Sequence, residues 1–325
     1  MRVPAVHALA RWAFLATLLV IVGTQSDISR VLQHLGSAYV RGILLAQPPF
    51  LVAIGIMALR HSLLLRRPPT PFLLTLNAVV LSTGLNHLLP GRVSELLKAT
   101  YMRDKCSVPL TSGLGAVLIE RLMDVVILGV IGIGAILLLA LNARLSVFIA
   151  MVALPLALLT LAPYAREPLL RLTAVVPWAR PRFFLNALLH GYPARVSPAT
   201  LSATFALTLL AWALLVLGTI VFLNSAAPNT LRWEEAMIVF VFTSIGGAIP
   251  ALPGGLGTYE AAAVLALQRF GLAFNESLAL ALGLRLCNIA LTVPWALLVA
   301  TRSGTGLRAT FRRLIEEWRR SSGAD

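Results

Sequence analysis

Charged side chains are scarce in this 325-residue sequence, at 12% of the residues against roughly 25% in an average soluble domain. Acidic residues are scarcest, with 13 Asp and Glu against 27 Lys and Arg, and 58% of the chain is hydrophobic. Several apolar runs approach the ~20 residues that cross a bilayer. We therefore predict an all-α, polytopic integral membrane protein without a sizeable soluble domain. The net charge of +14 comes mostly from Arg in loops, which favours lipid headgroups over nucleic acid as partners.

Motifs for most kinds of catalytic or cofactor chemistry are also missing. The two cysteines, Cys106 and Cys287, lie far apart and form no CxxC pair, so neither a disulfide framework nor a zinc site is predicted. The five histidines have no metal-ligand spacing. The sequence contains no GK[ST] phosphate loop, G-x-S-x-G elbow or Ser-His-Asp arrangement. We expect no metal and no cofactor, and we do not expect an enzyme.

What the chain does contain is a Pro-Gly break that occurs twice within apolar sequence. Each copy has an apolar approach, the break, and then a Glu that opens a new helix. The first copy comprises Asn86, Pro90, Gly91, Arg92 and Glu95, and the second comprises Pro250, Pro253, Gly254, Gly255, Gly257 and Glu260. An Arg follows each Glu at nearly equal distance, 26 residues later in the first copy and 25 in the second. One copy would be an ordinary kink, but two with matched spacing predict an internal repeat.

Ionisable residues within these runs are the candidate functional residues, because a charge at the bilayer centre costs roughly 2.5–3.5 kcal/mol on insertion scales. Two interpretations stay open: a local ion pair of Arg121 with Glu120 and Asp124, or a groove in which Arg121 and Arg285 bind a phosphate. Arg285 has no acid nearby in sequence, so Glu260 is its expected partner. The predicted headgroup groove comprises Asn86, Arg92, Glu95, Lys98, Glu120, Arg121, Asp124, Glu260, Arg285 and Asn288.

The apolar pattern predicts one transmembrane domain over residues 1–305 and an amphipathic tail over 306–325. The expected elements are an anchor at 8–26, a span at 38–60 kinked at Pro48-Pro49, hairpins at 71–105 and 235–270, helices at 109–141, 145–163, 197–224 and 277–300, and a basic loop at 164–196. The repeats would cover about 38–141 and 197–301.

The distribution of basic residues predicts the orientation. Nineteen Lys and Arg, including Arg60 and Lys98, fall on one side of this plan and five on the other, which places both termini in the cytoplasm. The two hairpins then enter from opposite sides, so the repeats would be inverted, as in many secondary transporters. We predict that each repeat contains a re-entrant helical hairpin, because the charges at 91–105 are too many for a lipid-facing helix. The charge count alone also allows two full spans for each hairpin.

These residues together resemble the flippase-like family related to the transmembrane domain of lysylphosphatidylglycerol synthase. The resemblance covers nearly the whole chain, and its most specific part is PGGLGxxE at Pro253–Glu260 with Arg285 downstream. Two departures are Ser94, where Gly is common, and Lys98, where Arg is common. The resemblance implies a multi-pass protein of a bacterial or archaeal inner membrane that moves lipids between leaflets. Without the synthase's soluble aminoacyl-transferase domain, lipid aminoacylation by this chain is not expected.

Two hypotheses of function follow. The first is a translocator of a phospholipid or lipid-linked intermediate, with anionic or phosphate-bearing membrane lipids and lipid-biosynthesis enzymes as partners. The alternative is a membrane-embedded enzyme, or a subunit of one, that acts on a lipid phosphate in cell-envelope biosynthesis. The alternative requires a nucleophile or a metal cluster, and the motifs supply only carboxylates and Arg.

Overall fold

The protein is described by a computed structural model over residues 27, 29, 36–65, 70–89, 93–138, 145–173, 197–227, 231–249 and 253–303. Within these ranges it is all-helical and has no strand. The helices are α1 (Ser37–Leu64), α2 (Phe72–Leu85), α3 (Val93–Cys106), α4 (Leu110–Leu138), α5 (Leu145–Thr173), α6 (Pro198–Ala226), α7 (Trp233–Ala248), α8 (Thr258–Arg269), α9 (Phe274–Ile289) and α10 (Thr292–Ser303), with a 3-10 turn at Pro253–Gly255.

Three helical stretches in the described part of the chain are long and apolar enough to cross a bilayer: α1, α6, and α9 together with α10. Large apolar side chains also lie on the outer surface, with Leu73 68% and Leu44 65% exposed. A soluble protein rarely exposes apolar area on this scale, whereas a lipid environment accepts it. The chain is therefore a membrane protein, as predicted.

Helices α1 and α6 form the central pair and pack along much of their length. A Cβ atom added at Gly42 would lie 3.1 Å from the Cβ of Ser225, and one added at Gly218 would lie 3.0 Å from the Phe50 ring. Small residues at helix crossings let backbones approach, which matters in lipid, where apolar burial does not drive helix association. Tyr39 and Phe222 add an edge-to-face ring contact with centroids 5.5 Å apart.

The first break separates two short helices that pack on each other, α2 and α3. Each has 14 residues and is therefore about 21 Å long, less than the ~30 Å of the hydrocarbon core. A Cβ added at Gly84 would lie 2.3 Å from the Thr292 carbonyl oxygen, so α2 is held directly against α10. The predicted helices on both sides of this break are confirmed, while Pro90, Gly91 and Arg92 lie outside the described residues.

The second break has the same plan and touches the first. Helix α7 has 16 residues and α8 has 12, and between them Gly254, Gly255 and Gly257 adopt positive φ angles of 64°, 63° and 82°. A Cβ at Gly254 would lie 2.3 Å from the carbonyl oxygen of His87 in the first break. Glycine is needed here both for the backbone angle and for the close approach. Pro250 lies outside the described residues.

Some predicted boundaries are wrong. Helix α5 continues to Thr173, ten residues beyond the predicted end of its span and into the predicted basic loop. The reason is that polar side chains end an apolar span without ending the backbone hydrogen bonds of a helix. The last predicted span, 277–300, lies within the stretch Phe274–Ser303 that is long and apolar enough to cross a bilayer, and a turn at Ala290-Leu291 separates its two helices. Helix α1 contains Pro48 and Pro49, and the kink there stays a prediction. The N-terminal anchor at 8–26, the rest of the basic loop at 174–196 and the tail at 306–325 lie outside the described residues.

Candidate functional site

Most of the predicted site residues of the first repeat meet between α1, α3 and α4, in what we call the first charged cluster. It joins three carboxylates, three cations and one imidazole. Its members are Arg60, His61, Glu95, Lys98, Glu120, Arg121 and Asp124.

Glu120 is the buried centre of this cluster, with 1% of its surface exposed. Its Oε2 accepts from Lys98 Nζ at 2.5 Å, and its Oε1 lies 3.0 Å from His61 Nδ1 and 3.8 Å from Arg60 Nε. A carboxylate removed from water is stabilised only when partners replace its hydration. Here α1 and α3 supply those partners, so the charge also binds three helices together.

Asp124 is one turn further along α4 and has three donors. Arg60 Nη1 donates to its Oδ1 at 2.7 Å, Trp212 Nε1 donates to the same oxygen at 3.1 Å, and Arg121 Nη1 donates to Oδ2 at 3.0 Å. Arg60 also donates to Thr208 Oγ1 at 3.1 Å. The carboxylate therefore connects α4 to both members of the central helix pair.

Arg121 is the member of the cluster that remains accessible. Its Nη2 donates to Glu95 Oε1 in a close ion pair, and the Nζ of Lys98 lies 3.4 Å from the other oxygen of Glu95. The Arg121 side chain is nevertheless 39% exposed, against 4% for Lys98. Nη1 and Nη2 each keep a second N–H beyond these two carboxylate contacts, whereas Nε is buried without a hydrogen-bond partner. Arg121 therefore presents a planar cation at the edge of an otherwise buried network.

The residues around the second break form a smaller second charged cluster, Glu260, Arg285 and the ring of Tyr259. Arg285 Nε donates to Glu260 Oε1 at 2.6 Å and Nη2 donates to Oε2 at 3.1 Å. The same guanidinium donates to the carbonyl oxygens of Gly254 at 2.7 Å and Gly255 at 3.1 Å. Its Cζ lies 4.5 Å from the Tyr259 ring centroid, within cation–π range.

Glu260 has a second role that follows from its place in the first turn of α8. Its Oε2 accepts from the backbone N–H of Gly257 at 2.7 Å, which satisfies one donor at the start of the helix. Arg285 then links this cap to two carbonyl oxygens of the break. With all its nitrogens engaged and 7% of its surface exposed, Arg285 acts in this conformation as a brace for the second break.

Both predicted ion pairs are present. The Glu260–Arg285 pair is confirmed. The local pair of Arg121 with Asp124 is also confirmed, although Glu120 belongs to other partners and Arg121 gains Glu95 from α3.

Two predicted residues lie beside the clusters and outside the charged contacts. Asn86 Oδ1 is 3.5 Å from Ser94 Oγ, across the first break. Asn288 Nδ2 donates to the Leu284 carbonyl oxygen at 2.8 Å and lies 3.4 Å from the Tyr259 hydroxyl.

Arg60 requires a correction. It was placed with the cytoplasmic charges that close α1, but it is 3% exposed and paired to Asp124. Lys98, counted on the same side, is also buried. The reason is helix register: Arg60 lies four residues before the end of α1, on the face that packs against α4. His61, Thr208 and Trp212 were missed. The adjacent Arg60-His61 pair inside an apolar helix was the one available signal.

The described part of the chain contains two apolar grooves, the second of which borders the second charged cluster. One, of about 510 Å³, lies between α4, α5, α7 and α8 and is lined by residues that include Gly132, Phe148, Gly246 and Leu265. The other, of about 430 Å³, lies between α1 and α9, and Arg285 forms part of its wall. Both are suited to apolar chains, because their linings present almost no polar surface.

Comparison with known proteins places residues 8–296 within the family described as the lysylphosphatidylglycerol synthase TM region. Searches of curated proteins and of solved structures gave no match.

Proposed function

The chain belongs to the family of the lysylphosphatidylglycerol synthase TM region, and we propose that it moves a phospholipid or lipid-linked intermediate between the leaflets of a bacterial inner membrane. The family itself indicates a membrane protein of lipid metabolism or transport. Translocation goes beyond what the family indicates, and the observation that supports it is the partly exposed guanidinium of Arg121.

The chemistry of Arg121 fits a phosphate-bearing headgroup. Its planar fork binds phosphate oxygens in pairs, and it is already oriented by Glu95 and Asp124. The buried partners of these acids hold the guanidinium in place, so a headgroup would meet a preorganised cation. The three carboxylates of the first charged cluster are all paired, which leaves none free as a general base or nucleophile. We therefore assign the cluster to binding.

The helix breaks support movement at this position. Short helices that stop within apolar sequence expose backbone groups only where protein or a water-filled cavity surrounds them, and such helices form the sites of many transporters. In the proposed mechanism the two break-containing units are inverted repeats, and the contact between His87 and Gly254 opens and closes as the headgroup passes. The acyl chains remain in the apolar grooves or in lipid.

The orientation belongs to the same proposal. Arg60 and Lys98 are buried and no longer count among the cytoplasmic charges. The cytoplasmic side still has a large excess of basic residues, so we assign both termini to the cytoplasm.

The test is translocation of a fluorescent phospholipid in proteoliposomes, followed by quenching from outside. Arg121→Gln removes a charged hydrogen-bond donor worth about 1.5–3 kcal/mol, so the rate should fall about 10- to 100-fold. Arg121→Lys keeps the charge but loses the planar pair of donors, so its translocation rate should lie between those of Arg121→Gln and the wild type.

Arg232→Lys is the matched control, because that side chain is 63% exposed and lies outside both clusters. Its rate should equal that of the wild type. Wild-type rates for Arg121→Gln, in protein with an unchanged melting temperature, would refute the assignment.

A further inference from the structure

His61 stands at the inner end of the first charged cluster with one ring nitrogen engaged and the other unused. Its side chain is fully buried, and its Nδ1 lies 3.0 Å from Glu120 Oε1. Its Nε2 is buried and has no hydrogen-bond partner. A neutral imidazole that donates from Nδ1 to Glu120 leaves Nε2 as an unprotonated base. Arg60 Nε, Glu95 Oε2 and Arg121 Nε are also buried without a hydrogen-bond partner, but of these four atoms His61 Nε2 is the one that can bind a proton near neutral pH.

The charges around His61 are balanced while the imidazole is neutral. Helices α2 and α6, which also pack on α1, carry no ionisable side chain. Helix α9 touches α1 at Tyr39 and Gln47, and Gln47 is about 21 Å along the helix from His61. The facing groups are therefore those of the cluster: carboxylates Glu95, Glu120 and Asp124, and cations Arg60, Lys98 and Arg121.

We propose that His61 is the proton-binding site of this protein, and that it takes up one proton when an anionic lipid headgroup binds at Arg121. This inference rests on the proposed function. An anionic headgroup adds one negative charge to a neutral network in low dielectric, which is costly. Of the cluster's side chains, His61 is the one whose ordinary titration lies between pH 5 and 8. A proton on Nε2 restores neutrality, whereas a zwitterionic headgroup brings no net charge and requires none.

The contacts also give a path for the coupling. A protonated His61 holds Glu120 more strongly and weakens the hold of Glu120 on Lys98. Lys98 is already 3.4 Å from Glu95, so it can replace Arg121 as the partner of that acid. Arg121 is then released toward the headgroup. The proton comes from hydronium or buffer, and the O–H bond that breaks there is replaced by the new N–H bond at Nε2. Since His61 is buried, the proton reaches Nε2 during a transient opening of the cluster that accompanies headgroup binding.

The test measures binding of dihexanoyl phosphatidylglycerol and dihexanoyl phosphatidylcholine to the purified full chain between about pH 8 and about pH 6. Linkage of one proton makes phosphatidylglycerol affinity rise up to about tenfold for each unit that pH falls. Phosphatidylcholine affinity should stay constant. In weak buffer with an indicator dye, addition of phosphatidylglycerol should consume about one proton per bound lipid.

His61→Asn is the matched variant, because its amide nitrogen lies near the position of Nδ1 and can still donate to Glu120 without titrating. It should bind phosphatidylglycerol with no pH dependence. A wild-type slope in this variant would overturn the inference. If the variant does not fold, the wild-type dye measurement decides, and the absence of proton consumption overturns it. Arg121→Gln distinguishes failure of this inference from failure of the proposed function. If Arg121→Gln loses phosphatidylglycerol binding but wild-type binding does not depend on pH, the role of His61 is refuted and the proposed function stands. If Arg121→Gln binds phosphatidylglycerol as the wild type does, the proposed function is refuted.

Discussion

Replacing Arg285 by Ala tests whether this residue braces the second break. The substitution leaves Glu260 without its cation and frees the carbonyl oxygens of Gly254 and Gly255. Breaking a buried ion pair by removing one partner costs about 3–5 kcal/mol. The two lost hydrogen bonds to carbonyl oxygens add about 1 kcal/mol each. Because the Glu260 side chain is 13% exposed and keeps its bond to Gly257 N–H, the loss of the ion pair should lie at the lower end of its range, and we expect a total of about 5 kcal/mol.

Cys287 provides the assay, because it is buried and lies two residues beyond Arg285 on α9. In a Cys106→Ser background, a thiol-reactive dye reports the opening of this helix as the protein is heated. Arg285→Ala should react at a clearly lower temperature than the parent. The double variant Glu260→Gln/Arg285→Gln should react between them, because it leaves no unpaired charge.

Arg232→Ala is the control for loss of an Arg, and it should match the parent because that side chain is 63% exposed. If Arg285→Ala, the double variant and the control all react at the parent's temperature, the pair is not a buried brace. A temperature for the double variant below that of Arg285→Ala would show that the carbonyl contacts outweigh the ion pair.

Two further predictions concern the breaks and the orientation. Gly254→Ala should lower the melting temperature, since its Cβ would lie 2.3 Å from the His87 carbonyl oxygen at a φ of 64°, whereas Gly134→Ala, with no atom within 4 Å, should be close to neutral. Equal melting temperatures would contradict the contact between the breaks. Topology reporters fused after positions 67, 185 and 325 should be cytoplasmic and one after 229 periplasmic, because of the excess of basic residues. A periplasmic signal from position 185 would rule out the inverted arrangement.

The sequence predicted those features whose signals are local. The helices beside each break were predicted because Pro and Gly interrupt long apolar runs. The Glu260–Arg285 pair was predicted because Arg285 has no acid within one helical turn and Glu260 opens the helix after the second break. A buried charge requires a partner, so the sequence alone sufficed.

The partners of Glu120 and Asp124 on α1 could not be predicted in the same way. Arg60 is 64 residues from Asp124, and its burial depends on which face of α1 turns toward α4. The apolar pattern of α1 does not reveal that face, because a helix that meets lipid on one side and protein on the other is apolar all round. Near the end of a predicted span, a basic residue also has the ordinary explanation of positive charge on the cytoplasmic side.

Arg121 and Arg285 have matched positions in the two predicted repeats but unequal surroundings, and the neighbouring acids explain the difference. Helix α4 carries Glu120 and Asp124 beside its Arg, and Arg60, His61 and Lys98 also bind these acids, so Arg121 shares them with other partners and stays partly exposed. Helix α9 has no acid within one turn of Arg285, and Glu260 with the carbonyl oxygens of the break takes every nitrogen of Arg285. The same spacing from Glu to Arg therefore yields a partly exposed cation after the first break and a buried, structural one after the second. For this reason the binding experiments centre on Arg121 and the stability experiments on Arg285.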